Sequence, residues 1–185
     1  MKNMLFIMNP KAGRTTLKNS LVDVLEVFCN NDYAVRTYLT KSADDAERIV
    51  QEEGANYDVI VCAGGDGTLG NTVTGYMKSG IKVPLGYIPC GSTNDFARSM
   101  DIPRETVEAA EMIVKAEPFS IDIGSLNDKN FVYVAAFGMF SDTSYATPQN
   151  MKNIFGHAAY VLQGIKSLAN VPSYKMKAVS YTHLT

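Results

Sequence analysis

The stretch from Tyr57 to Gly70 constrains this chain more than any other. Tyr57-Asp58-Val59-Ile60-Val61-Cys62-Ala63 is an apolar run, and Gly64-Gly65-Asp66-Gly67-Thr68-Leu69-Gly70 follows it directly. Strand, glycine-rich loop and helix in that order build a phosphate cradle. Glycines admit positive φ and let a phosphate approach the backbone N–H groups, while the helix offers its positive end. No Lys-Ser/Thr follows the loop, so it is not a P-loop. Gly65-x-Gly67-x-x-Gly70 fits the dinucleotide-binding spacing, but the next strand ends in Pro89-Cys90 rather than in a ribose-binding acid. A carboxylate among phosphates is repulsive on its own. Asp66 is therefore expected to work through Mg²⁺ or on an acceptor hydroxyl, the alternative being that its side chain caps the helix.

Composition excludes several classes. The 185 residues allow one domain, or one with part of another, and 46% hydrophobic against 19% charged residues suits a packed core. A formal net charge of −2 leaves no basic stripe for nucleic acid. Cys29, Cys62 and Cys90 lack CxxC spacing, so neither a disulfide framework nor zinc is indicated, and a reducing cytosol fits. Cys62 and Cys90 read as buried packing residues, because a buried thiol behaves as a small hydrophobe. A catalytic pairing of Cys90 with His157 has no support in the sequence. The apolar start Leu5-Phe6-Ile7-Met8 is cut off by Asn9-Pro10, too short for a signal peptide, and no apolar run approaches the length of a membrane span.

The pattern along the chain alternates strand and helix. Met4 to Met8 predicts a buried strand closed by Asn9-Pro10-Lys11-Ala12-Gly13. Leu17, Leu21, Val24, Leu25 and Phe28 recur at helical spacing over about residues 15 to 30. Ala34 to Leu39 predicts the second strand. Ser42 is expected to cap a helix, with Asp45 as the capping-box acid and Gly54 at its end. The third strand is Tyr57 to Ala63, with a helix from the glycine loop to about Lys78, and the fourth is Lys82 to Ile88. A short helix starts near Asn94. Pro103 is expected to open another, in which Val107, Ala110, Ile113 and Val114 share a face. This order of apolar strands and helices predicts a three-layer α/β/α fold with a parallel sheet covered on both faces.

After residue 118 the pattern changes. Ser120 to Gly124, Phe131 to Phe137 and Tyr174 to Val179 read as strands of another kind, with Asn127-Asp128-Lys129-Asn130 as a hairpin turn. Ala158, Val161, Leu162, Ile165 and Leu168 mark one intervening helix, whose stripe reads as core packing rather than a lipid-facing surface. The boundary falls near residue 123: a nucleotide domain over 1–123, the incomplete start of a second domain over 124–180, and a non-native tail over 181–185. The phosphate-type signals gather at the C-terminal ends of the four strands, at Asn9 to Gly13, Thr40, Gly65 to Asn71 and Gly91-Ser92-Thr93-Asn94. In open parallel sheets that edge binds ligands.

Three motifs carry a family resemblance: Asn-Pro-Lys-Ala-Gly at 9–13, Gly-Gly-Asp-Gly-Thr at 64–68, and Ile-Pro-Cys-Gly-Ser-Thr-Asn-Asp-Phe-Ala-Arg at 88–98. Together they resemble the diacylglycerol kinase catalytic family, with the soluble bacterial lipid kinases the nearer match and Ile121-Asp122-Ile123-Gly124 as a fourth marker. NAD kinases share the Gly-Gly-Asp-Gly-Thr loop without the other two motifs. The resemblance implies a phosphofructokinase-like ATP domain followed by a β-sandwich domain. ATP is then expected at Asn9, Pro10, Lys11, Ala12, Gly13, Thr40, Gly65, Asp66, Gly67, Thr68, Leu69, Gly70, Asn71 and Thr93. It also implies that Asp66 and Asp95 sit near the transferred phosphate with Mg²⁺ or water, supported by Arg98 and Asp122. For Asp95 and Arg98, three apart on one helix, an intrahelical ion pair is the alternative. The implied protein is an ATP- and Mg²⁺-dependent lipid kinase, cytoplasmic and peripheral at the inner membrane surface, with a homodimer compatible. An NAD kinase-like enzyme or a non-catalytic nucleotide-binding regulator is the rival. Family members extend past position 185 and carry their proposed general base, a glutamate, in that portion, so the 185 residues alone are expected to be inactive.

Overall fold

Four runs of apolar residues form one parallel sheet: β1 (Lys2–Met8), β2 (Tyr33–Leu39), β3 (Val59–Gly64) and β4 (Leu85–Pro89), in the spatial order β2-β1-β3-β4. The computed structural model describes residues 1–12, 16–126 and 129–133. Register is continuous from Lys2↔Tyr33 to Met8↔Leu39 and from Met4↔Val59 to Met8↔Ala63, and β4 extends the sheet with Cys62↔Tyr87 and Gly64↔Pro89.

Strand alternation divides the core. Met4, Phe6 and Met8 of β1 and Val59, Val61 and Ala63 of β3 face α1 (Thr16–Asn30) and α5 (Thr106–Lys115), where Leu17, Val24, Phe28, Ala109 and Ala110 are buried against them. Phe6 and Phe28 meet edge to face at 5.6 Å. On the other face, Leu5, Ile7 and Ile60 pack on Ala46, Ile49 and Val50 of α2 (Asp45–Glu53), and Cys62 packs on Leu69 and Val73 of α3 (Asp66–Ser79). This division follows from handedness. The path from β1 to β2 runs one way along the sheet, and the paths from β2 to β3 and from β3 to β4 run the other. Right-handed crossovers therefore send α1 to one face and α2 and α3 to the other. Gly75 lets α2 and α3 touch: a Cβ there would lie 2.5 Å from the Glu47 carbonyl oxygen.

The predicted parallel three-layer architecture is the one observed, with corrections at element ends. The helix expected at Ser42 begins at Asp45, because the Asp45 carboxylate takes the backbone amides of Lys41 and Ser42 and holds them in a turn outside the helix. Pro103 does not open α5. Glu105 does, its carboxylate accepting from the Val107 and Glu108 amides. The strand expected at Ser120 to Gly124 is displaced to β5 (Gly124–Leu126), which pairs antiparallel with β6 (Lys129–Phe131), so Lys129 and Asn130 belong to the ladder rather than to the turn. The helix marked by Ala158 to Leu168, the strand Tyr174 to Val179 and the tail at 181–185 lie outside the described residues. No helix among the described residues is long and apolar enough to cross a membrane.

Candidate active site

Because β1 lies between β2 and β3, the chain leaves the C-terminal end of β1 in one direction and that of β3 in the other. That switch point is where a crevice opens in a doubly wound sheet. The segments singled out by sequence lie there, and hydrogen bonds join them. Thr40 N–H donates to Met8 O (2.9 Å), Asn9 N–H to Ala63 O (3.0 Å) and Cys90 N–H to Gly64 O (2.7 Å). Across the gap, Asn9 Nδ2 donates to Thr68 Oγ1 at 3.0 Å, so the turn after β1 is tied to the first turn of α3. Asn9 also shapes its own turn, accepting the Lys11 amide on Oδ1 and the Ala12 amide on its carbonyl. Gly13 lies outside the described residues.

The glycine-rich segment is not the loop expected from its composition. Gly65 alone separates β3 from α3, as the N-cap with φ −91 and ψ −178, and Asp66 through Asn71 are helical. Among the described residues Gly80 is the only glycine with positive φ. The glycines serve by what they leave out. A Cβ on Gly67 or Gly70 would meet nothing within 4 Å, so the outer surface of this first turn is open. Gly65 and Gly91 instead press together: a Cβ on Gly91 would lie 2.6 Å from Gly65 Cα. Thr68 and Leu69 N–H bond back to Gly65 O, and no side chain caps α3, so among the described residues the Asp66 and Gly67 amides at its positive end have no partner.

Asp66 does not cap its own helix. Its Oδ1 lies 3.4 Å from the amide of Phe96 in α4 (Asp95–Ser99), a long contact to the residue beside Asp95, and no other hydrogen bond to Asp66 occurs among the described residues. Asp95 and Arg98 do not form the intrahelical ion pair that was the alternative for them. Asp95 is partly buried, whereas Arg98 is exposed and lines a shallow groove with Asn94, Ala97, Asp101, Ile102 and Arg104. Asp122 is exposed, with no hydrogen bond among the described residues joining it to Asp66 or Asp95. The segment after β2 is pinned from two sides, Thr40 being buried at the strand end while Asn71 Nδ2 donates to Ala43 O at 2.6 Å. Lys11 is exposed, while Pro10 and Thr93 are half-buried.

Two residues complete this edge: Asn94, which the sequence placed in the phosphate-type segment Gly91 to Asn94, and Tyr87, which sequence reasoning passed over. Asn94, 6% exposed and in the left-handed region at φ 53, accepts the Gly91 amide on Oδ1 and donates Nδ2 to Gly91 O. Tyr87 is buried, with its hydroxyl 3.1 Å from Gly64 O. The available signal was a tyrosine inside the apolar run Leu85-Gly86-Tyr87-Ile88-Pro89. Burial pushes the Tyr87 phenol well above its ordinary range, helped by the Asp66 charge. Burial likewise pushes the Cys62 and Cys90 thiols up to about 12, which keeps them protonated and unreactive as their packing role requires. His157 lies outside the described residues.

Residues 3–126 match the diacylglycerol kinase catalytic domain. The chain is 36% identical to a diacylglycerol kinase of Bacillus subtilis strain 168, over 92% of this chain and 57% of the relative. It is also 36% identical to a diacylglycerol kinase of Staphylococcus aureus strain JH9, over 96% and 55%. A crystal structure of a diacylglycerol kinase from Bacillus anthracis str. Sterne superposes with a TM-score of 0.65 at 31% identity, covering 70% of this chain and 45% of that one. The fold is a parallel α/β domain of the kind found in these relatives. The chain belongs to the diacylglycerol kinase catalytic domain family, and it spans about half the length of the curated relatives it matches.

Proposed function

We propose that this edge of the sheet binds the phosphates of ATP and forms the nucleotide half of a lipid kinase that transfers the γ-phosphate to the hydroxyl of diacylglycerol or a related amphiphile. One observation carries the reading: among the described residues the Asp66 and Gly67 amides at the start of α3 have no partner, and the space above Gly67 and Gly70 is open. An anion fits an uncapped helix N-terminus with no side chain in its way. Phosphoryl transfer asks the protein mainly for positioning and charge stabilisation, which suits a site made of backbone donors and a few polar side chains. The Asn9 to Ala12 turn, Thr40, Gly65 to Asn71 and Thr93 frame the nucleotide, with Asn9 and Asn71 acting through the backbone they hold in place.

Among the described residues no group of three or more His, Cys, Asp or Glu side chains could hold a metal alone. Mg²⁺ in such sites takes one or two carboxylates and completes its shell with phosphate and water. Asp66, with its second oxygen uncommitted and Asp95 beside its contact on α4, fits that demand. When bound, the cation would neutralise charge on the phosphates, and Asp66 would hold it. Arg98 and Asp122 would support this network, the protein working at the cytoplasmic membrane surface without spanning it and as a monomer or homodimer.

Gly67→Ala tests the cradle. The variant should fold as well as the parent or up to about 1 kcal/mol better, since alanine suits a helix, yet lose ATP binding measured by calorimetry. Unchanged ATP affinity would remove the cradle. The reaction itself is tested with labelled ATP and the chain extended to the length of its relatives, offered diacylglycerol, sphingoid bases and NAD. Label on NAD alone rejects the lipid acceptor, and binding without transfer favours a regulator.

A further inference from the structure

We propose that Tyr87 is a positioning residue whose hydroxyl latches the β3–α3 junction to the β4–α4 loop and so sets the geometry of the phosphate cradle; the inference rests on the nucleotide reading of that cradle. A phenol buried in an apolar strand is costly unless it is hydrogen-bonded. Tyr87 is 4% exposed, and its hydroxyl reaches the Gly64 carbonyl at 3.1 Å and lies 3.4 Å from Asn94 Oδ1. Gly64 O thereby accepts two donors, Tyr87 O–H and Cys90 N–H, filling both lone pairs from the β4 side. Asn94 clasps Gly91 through both its amide atoms. Gly91 in turn rests on Gly65 so closely that neither position tolerates a Cβ in ordinary contact.

The single Tyr87 proton goes mainly to Gly64 O and leans toward Asn94 Oδ1, the longer contact, so a chain of contacts runs through Gly64, Tyr87, Asn94, Gly91 and Gly65. Gly65 is the N-cap of α3, so these contacts fix the amides that would meet a phosphate. The ring of Tyr87 packs against Phe96 and the Cys62–Leu69–Val73 cluster, and a phenylalanine would pack there equally well. Of the atoms of Tyr87, only the hydroxyl reaches both segments, beside the Cys90 amide on Gly64 O and the Gly65–Gly91 contact. Its effect should therefore fall on preorganisation of the cradle more than on the core.

The test uses the 185-residue chain with Tyr87→Phe and, as a control, Tyr76→Phe. Tyr76 lies on α3 and also bonds a carbonyl, Val83 O at 2.8 Å, away from the cradle. Both variants should lose similar, small amounts of stability in denaturant melts. Only Tyr87→Phe should weaken ATP binding, by roughly three- to tenfold for one lost hydrogen bond, and only it should speed amide exchange at Cys90 and Gly91 without nucleotide. Asn94→Gly, which keeps the left-handed backbone and removes the clasp, should reproduce both effects. Unchanged exchange at Cys90 and Gly91 in Tyr87→Phe overturns the latch. Faster exchange with unchanged ATP affinity overturns the positioning role. Failure of the parent chain to bind ATP overturns the nucleotide reading instead, and the positioning role with it.

Discussion

The two flanks of the candidate site are held by different physics. On the β4 flank the joints are buried or partly buried and mostly neutral: Tyr87 O–H on Gly64 O, the Asn94 clasp on Gly91 and the Gly65–Gly91 backbone contact, with the long Phe96 amide contact to Asp66 as the charged exception. On the β2 flank they are exposed and largely charged. Asp45 accepts the Lys41 and Ser42 amides, Asn71 Nδ2 donates to the Ala43 carbonyl, and Arg48 bridges Asp45, Glu52 and the Tyr38 hydroxyl. Arg36 pairs with Glu53 beyond them. Buried neutral hydrogen bonds depend on shape and ignore salt; exposed charged ones tolerate shape changes and respond to pH and ions. The β4 flank is thus built for fixed geometry beside the proposed phosphate site, and the β2 flank for a wall that can adjust.

The sharpest way to break this contrast is steric. A Cβ on Gly91 would lie 2.6 Å from Gly65 Cα and 2.7 Å from Asn94 Oδ1, both held rigidly. Gly91→Ala should cost about 1–3 kcal/mol by overpacking and lower ATP affinity by more than Tyr87→Phe does. Denaturant melts and calorimetric titration read both. Equal tolerance of alanine at Gly91 and at Gly70, where the space is open, would erase the distinction between rigid and adjustable flanks.

This asymmetry also decides what the sequence could reveal. Strand and helix identities were legible because burial imposes period: Met4, Phe6 and Met8 face one layer while Leu5 and Ile7 face the other, and Leu17, Val24 and Phe28 line one stripe. The clustering of glycine-bearing segments at the strand ends was legible as well, because parallel crossovers force those ends together. What stayed hidden depends on partners far along the chain. Glycines in a helical first turn look, in sequence, like glycines in a loop; only the backbone shows that they leave space rather than adopt positive φ. The Asp45 carboxylate could serve a helix cap or an outside turn, and the sequence does not choose. Tyr87 looked like another strand residue, since its partner Gly64 is set by register across β3 and β4.

Acid and base should separate the flanks next. The Lys41 and Ser42 amides, then Arg48, hold the Asp45 carboxyl down at about 2. A lowered carboxylate contributes stability above its unfolded value near about 3.9, and that contribution is lost as pH falls toward 2. The stability gap between parent and Asp45→Asn should therefore be constant near neutrality and close below about pH 4, with the Lys41 and Ser42 amide signals moving together. On the β4 flank the sign reverses. Cys62 and Cys90 are raised to about 12 and Tyr87 is raised as well. The folded protein keeps protons that the unfolded chain releases, so stability is full below about pH 8.5 and falls as pH rises toward 12. Tyr87→Phe should soften that alkaline decline and leave the acid limb alone. An acid limb changed by Tyr87→Phe, or an alkaline one changed by Asp45→Asn, would mean the flanks are one coupled unit.

Salt gives the smallest effect and the finest discrimination. Arg48 is about half exposed, with Asp45 at 3.3 Å, Glu52 at 2.8 Å and the Tyr38 hydroxyl at 2.7 Å. Exposed pairs of this kind contribute little, because water and the entropy of two long side chains offset the attraction. Arg48→Ala should be the mildest variant of the series, and its deficit should shrink in molar salt, where the screening length falls to about 3 Å. The deficit of Tyr87→Phe should not change with salt, since no ion takes part in its hydrogen bonds. Parallel melts of both variants at low and high NaCl measure the two slopes directly. If the Arg48→Ala deficit stayed constant, the β2 flank would owe its order to neutral bonds such as the Asn71 one rather than to charge, and the two flanks would differ in exposure alone.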